Sequence, residues 1–118
     1  MQQNTILALA FVRNVIAQLP EAYEKICFDT PAFYTGKNIF ARLKEDEENL
    51  VIYTEERELW MEKQPEIFTI TPHYLKYKYM LVNLDLVVPE DLKELLITAW
   101  KLRSNKSLIK QYLANQGS

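Results

Sequence analysis

With 118 residues, 48% of them hydrophobic and 25% charged, the chain suits one globular domain and is too apolar for a disordered one. A net charge of −2 and a pI near 5.5 run against the strongly basic balance of ordinary nucleic-acid-binding domains. Two glycines leave little scope for flexible linkers, and the lone Cys27 excludes an internal disulfide and fits a reducing, cytoplasmic setting.

Asn4 and Thr5 read as N-caps of a first helix running to Leu19, with Ile6, Leu9, Val12 and Ile16 at helical spacing and Pro20 as its stop. The apolar run from Ile6 to Val12 has no preceding Lys or Arg and is followed at once by Arg13. It fits neither a signal peptide nor a membrane span, which takes about 20 apolar residues. Residues 22–28 alternate, as a short strand or an extended entry segment would. Ala32-Phe33-Tyr34 and Ile39–Leu43 then flank Thr35-Gly36-Lys37-Asn38 as a hairpin, with Gly36 supplying the positive φ of its turn. Glu45 to Glu48 form a charged turn, and Leu50–Tyr53 form a further strand.

Thr54, Glu55 and Glu56 read as the start of a second helix, with Leu59 and Trp60 facing inward and Pro65 ending it. Phe68-Thr69-Ile70 is extended. Residues 76–86 read as a β region with Met80, Val82, Leu84 and Leu86 on one face. Pro89 opens a helix whose stripe is Leu92, Leu95, Leu96 and Ala99, and Trp100 follows that stripe into the core. Ser104-Asn105 interrupts it before a last short helix containing Leu108, Ile109, Tyr112 and Leu113. Strands grouped between helices predict an α+β domain with a mainly antiparallel sheet, spanning residues 1–118.

No constellation here suits catalysis. His73 is the only histidine, Gly36 is isolated from any phosphate loop, and no cysteine–histidine set has metal spacing. Neither an enzyme nor a bound cofactor or metal is expected. The charge is unevenly spread. Residues 1–60 carry six basic and ten acidic side chains, residues 61–118 eight and six, and no acid follows Glu94. The stretch from His73 to Tyr79 interleaves Lys76 and Lys78 with Tyr77 and Tyr79. It admits two readings: cations and rings for phosphates and bases, or a strand whose lysines guard an edge.

Several segments in order resemble the MmcQ/YjbR family of small bacterial proteins. They are Leu19-Pro20-Glu21, Pro31-Ala32-Phe33, Gly36-Lys37-Asn38-Ile39-Phe40-Ala41, the helix after Tyr53, Val82-Asn83-Leu84-Asp85-Leu86, and a Leu-rich helix with Trp100-Lys101. Many relatives have a glycine where this chain has Glu21, and a Gly-Trp where it has Lys78-Tyr79. The resemblance implies an α-β(3)-α-β(2)-α core of the secretion-chaperone-like type, here with a second C-terminal helix. It also implies a double-wing arrangement of hairpins suited to DNA. By position Gly36-Lys37 would be a wing tip, Arg42 its flank, and Lys76 and Lys78 the approach to a second wing.

Two functions follow as expectations. In a DNA-binding module, Lys37, Arg42, Lys76, Lys78, Lys101, Arg103 and Lys106 would meet phosphates and Tyr77 or Tyr79 a sugar or base, with weak, salt-sensitive affinity. The alternative is a protein-interaction or chaperone-like module for extended peptides, as a monomer or homodimer. No membrane partner is expected.

Overall fold

A computed structural model describes residues 3–116. The first helix, α1 (Gln3–Ile16), is followed by four strands: β1 (Ala22–Cys27), β2 (Thr30–Thr35), β3 (Asn38–Leu43) and β4 (Asn49–Tyr53). Then come α2 (Arg57–Lys63), the short β5 (Phe68–Thr69), a 3-10 turn at Pro72–Tyr74, β6 (Tyr79–Asn83), α3 (Pro89–Arg103) and α4 (Lys106–Gln116). The six strands form one sheet in the order β1-β2-β3-β4-β6-β5, every neighbouring pair antiparallel. The α+β class and the antiparallel sheet are as the sequence predicts. The segment before the first hairpin is a full strand, paired with β2 from Ala22↔Thr35 to Cys27↔Thr30.

Strand side chains alternate between faces, so the pairing register sorts the sheet into two surfaces. Phe33, Ala41, Leu50, Ile52, Met80, Val82 and Phe68 point to one face. There they join Leu9, Val12 and Ile16 of α1 and Leu92, Leu95, Leu96, Ala99 and Trp100 of α3 in the core. Trp100 is fully buried beneath Tyr112 of α4, with ring centroids 5.4 Å apart. Its indole N–H donates to the Pro20 carbonyl at 3.1 Å, which satisfies the one polar atom the ring takes inside. The opposite face carries Tyr23, Lys25 and Cys27 from β1, Thr30, Ala32 and Tyr34 from β2, and Arg42 from β3. Val51 and Tyr53 of β4 and Tyr79 and Leu81 of β6 complete it. The core residues of α1 and α3 lie on the other face, and Arg103, the last residue of α3, reaches round to stack over Tyr53 on this one.

Some local expectations are corrected. Asn4 and Thr5 lie inside α1 and tie it to other segments: Asn4 donates to Asp85, and the Thr5 hydroxyl donates to the Glu47 carbonyl at 2.7 Å. Ordered helix ends at Ile16 rather than Leu19, and Leu19 is held by a tighter turn through its N–H to Ile16. Thr54 accepts from the Glu56 N–H just before α2, so it shapes the entry rather than capping the helix. Leu59 is 62% exposed, whereas Trp60 packs edge-on against Phe68 at 5.0 Å. A seven-residue helix buries one stripe only, and Trp60 and Met61 occupy it. Residues 76–78 are turn, not strand, and Leu86 is exposed beyond the end of β6.

Candidate nucleic-acid interface

Six of the chain's seven tyrosines lie on the helix-free face or in the segment that crosses it. Tyr23 and Tyr34 are cross-strand partners and stack at 5.6 Å with rings 14° apart. Tyr53 and Tyr79, also partners, meet edge to face at 5.4 Å, and Tyr74 lies 6.0 Å from Tyr79. Antiparallel pairing sets these residues side by side, so the aromatic contacts follow directly from register. Tyr23 and Tyr34 pair close to the β2–β3 turn, and Tyr53 and Tyr79 sit at the same end of the sheet. Burial pushes the Tyr79 hydroxyl pKa up while the nearby Arg103 charge pulls against it. The Tyr34 hydroxyl is pushed up by the Cys27 thiol beside it and by burial. These two hydroxyls therefore stay protonated at neutral pH.

The segment from Tyr74 to Tyr79 is gathered by one side chain. Arg57, at the start of α2, donates to the carbonyls of Tyr74 at 3.0 Å, Tyr77 at 2.6 Å, Tyr79 at 3.1 Å and Leu75 at 2.8 Å. A guanidinium offers five N–H groups in a fixed fork, so it can hold a turn closed whose carbonyls have few backbone donors. The sequence pattern gave no sign of this role, because the partners are main-chain atoms about 20 residues away.

The predicted cations divide sharply. Arg42 is pinned. Its side chain is only 10% exposed, it donates to Thr30 Oγ1 at 3.1 Å and to Glu45 at 2.9 Å, and it lies 5.7 Å from the Phe28 ring centroid. Burial disfavours its charge, but hydrogen bonds with Tyr74 and Glu45 outweigh that and raise its pKa. Lys78 is exposed and paired with Glu55 at 2.6 Å, and this contact raises its pKa. Lys37 is exposed at the β2–β3 tip, and Lys76 is exposed in the turn beside Tyr77. Arg103 stacks over Tyr53 at 4.7 Å and donates through Nε to the Ile39 carbonyl. Lys101 sits 5.7 Å over Tyr112, on the helix side, and Lys106 is exposed at the start of α4. Sequence reading missed Lys25, whose ammonium lies 5.8 Å over the Tyr23 ring. Among the described residues, no carboxylate pairs with Lys25, Lys37, Lys76 or Arg103.

The expected wings are short. Pairing of β1 with β2 continues to Thr35, so only Gly36 and Lys37 extend past the ladder. Gly36 has φ 58°, the left-handed value its turn needs, and a Cβ there would meet nothing, so conformation alone favours glycine. The Tyr23 hydroxyl donates to the Gly36 carbonyl at 2.6 Å, and the Asn38 amide donates to the Arg103 carbonyl at 3.0 Å. These bonds hold the tip against the sheet end. Among the described residues, no three His, Cys, Asp or Glu side chains gather closely enough to share a metal ion, and no helix is long and apolar enough to cross a membrane.

A six-stranded antiparallel sheet, with helices on one face and aromatic and basic side chains on the other, defines a small α+β domain with one open sheet surface. The chain belongs to the YjbR family, whose model matches residues 17–102. The crystal structure of Deinococcus radiodurans protein DR2400, a DUF419-domain protein, superposes with a TM-score of 0.70. It is 25% identical and covers 88% of this chain and 86% of that one. The uncharacterised proteins Rv2570 of Mycobacterium tuberculosis and Mb2600 of Mycobacterium bovis are 37% identical over 54 residues. That stretch is 46% of this chain and only 42% of either relative.

Proposed function

We propose that this YjbR-family chain is a DNA-binding module of weak, salt-sensitive affinity. The observation that carries the reading is the set of Lys25, Lys37 and Arg103 on or beside a tyrosine-rich sheet face and Lys76 in the turn that adjoins the start of α2, none with a carboxylate partner in an ion pair among the described residues. Phosphates supply the counter-charge these side chains lack, and Tyr77, 58% exposed, lies beside Lys76 for a sugar or base. Lys101 and Lys106 lie farther along the same chain end and add attraction at longer range. Arg42 and Lys78 have their own carboxylates and serve to hold the surface in shape. The reading places the protein in a bacterial cytoplasm, with no part in catalysis.

Fluorescence anisotropy of labelled DNA at low and physiological salt tests this. Four phosphate contacts give a log–log salt slope of about −3.6 on duplex. The double variant Lys37→Glu/Lys76→Glu should bind more weakly and flatten the slope by about two contacts. Unchanged affinity in that variant would sink the assignment.

A second reading has one observation of its own. β1 is an edge strand with a free side, and Ile26 is 68% exposed on it. An extended peptide could add there as a further strand. Saturable binding of such a peptide, lost in Ile26→Asp, would favour this reading over DNA.

A further inference from the structure

The β1–β2 turn contains a residue that local folding does not favour. Phe28 and Asp29 have φ of 50° and 66°, so both central positions of this two-residue hairpin loop lie in the left-handed region. Asn and Gly are the residues that such a turn takes without strain, and an aromatic residue is disfavoured there. Burial gives no compensation, because Phe28 is 78% exposed, the most exposed large hydrophobic side chain among the described residues. Strain and an exposed apolar ring at one position point to a contact made outside the chain.

The surroundings of Phe28 indicate what that contact is. Its ring borders an open hollow of about 500 Å³ on the helix-free face, shared with Arg42, Lys44, His73 and Tyr74. The Glu45 carboxylate lies 2.9 Å from the Arg42 guanidinium beneath it and 3.8 Å from the Lys44 ammonium, so this end offers ring faces and one net positive charge rather than a concentrated charge. Five residues back along β1 lies the stacked pair Tyr23–Tyr34, with Lys25 over it. At the usual rise per residue, Phe28 and Tyr23 are roughly 16 Å apart. Aromatic rings spaced along a sheet face, with lysines between them, are the arrangement that stacks successive bases of a strand whose bases are free. A duplex hides its base faces, and the two-residue Gly36-Lys37 tip, held to the sheet by Tyr23 and Asn38, gives little to insert into a groove.

We infer that the ligand of this surface is single-stranded DNA, laid across the helix-free face from the Lys37 end to the Phe28 hollow, with bases stacking on the Tyr23–Tyr34 pair and on Phe28. The inference rests on the DNA-binding reading above and narrows it. The deciding variant is Phe28→Asn. Asparagine suits the turn, so this variant should melt at the same temperature as the parent or higher, and any lost binding cannot be blamed on misfolding. Labelled oligo-dT of about 15 nucleotides, the same length of oligo-U, and a duplex of equal length are titrated in parallel. The expected result is oligo-dT bound about ten-fold more tightly than duplex, with a further ten-fold loss on oligo-dT in Phe28→Asn and no change on duplex. The salt slope on oligo-dT should be shallower than on duplex, about −2.8 for four contacts. Equal affinity for single and double strands, unchanged oligo-dT affinity in Phe28→Asn, or tighter binding of oligo-U would each overturn the inference. Binding of duplex alone overturns it while leaving the DNA-binding reading intact. Failure of every nucleic acid to bind overturns both.

Discussion

The two faces of the sheet are assembled from different chemistry, and they impose different demands on the sequence. The helix-covered face is apolar and close-packed: Phe33, Leu50, Ile52, Met80 and Val82 meet Leu9, Val12, Leu96 and Trp100 with almost no exposure. Its only requirement is that apolar residues recur at strand and helix spacing, and many sequences meet it. The open face buries Ala32, Val51 and Leu81 beneath larger polar side chains, namely Tyr34, Tyr53, Tyr79, Tyr74 and Arg42. Those groups must each find a partner, so this face depends on particular contacts rather than on pattern. A substitution on the first face should therefore weaken the whole fold, and one on the second should loosen or disarm a local surface.

The sharpest break on the core side is Trp100→Ala. It removes a fully buried indole, its contact with Tyr112 and the hydrogen bond to Pro20, the residue that turns the chain from α1 into β1. The expected loss is about 4 kcal/mol, read from the shift of a urea or guanidinium midpoint. Trp100→Phe keeps most of the volume and gives up the donor, so it should lose about half as much, near 2 kcal/mol. If Trp100→Ala cost no more than a surface change, α4 would not be part of the same cooperative unit.

On the open face the matching variant is Arg57→Ala. Four carbonyls lose their shared donor, and two of them belong to exposed Leu75 and Tyr77. The expected global cost is about 2 kcal/mol, since a hydrogen bond to a charged group is stronger than a neutral one but these carbonyls can turn to water. The more telling readout is local. Trypsin should cut after Lys76 and Lys78 much faster in the variant, while amides of β4 and α3 keep their protection. Uniform loss of protection would mean that the segment and the core open together, and the contrast between the faces would fail.

This contrast also sets what could be read before the fold was known. Apolar spacing located α1, the β2–β3 hairpin, β4 and α3, and placed Trp100 in the core, because core formation follows period and hydrophobicity. Position 59 was misjudged because α2 is too short for its periodicity to choose between Leu59 and Trp60. Among the candidate contacts, Lys37 and Lys76 lie exposed, as their residue type suggests. Arg42 does not: its carboxylate partner Glu45 is only three residues on, but its ring partner Phe28 and its hydroxyl partner Thr30 lie at the β1–β2 turn, which the sheet alone brings beside it. The tyrosine face was hidden for the same reason: Tyr23, Tyr34, Tyr53 and Tyr79 are neighbours by strand pairing, and β4 and β6 are separated in sequence by a helix, a short strand and a turn.

The smallest effect concerns the corner where the two faces meet. Glu21 follows Pro20 between α1 and β1 with φ 59°, a left-handed value that favours glycine. A side chain there strains the backbone by about 1 kcal/mol, and glycine would relieve that while giving the unfolded chain more freedom to lose. The two terms oppose each other. Glu21→Gly should therefore stabilise by only about 0.5 kcal/mol, visible as a small rise in denaturation midpoint. Glu21→Ala separates conformation from charge: alanine removes the carboxylate but keeps the Cβ, so it should leave stability nearly unchanged. A gain in alanine equal to that in glycine would assign the effect to the carboxylate and not to the turn. A gain in glycine alone would show that this corner tolerates a left-handed residue because the packed core on one side of it, anchored through Trp100 and Pro20, offsets the strain.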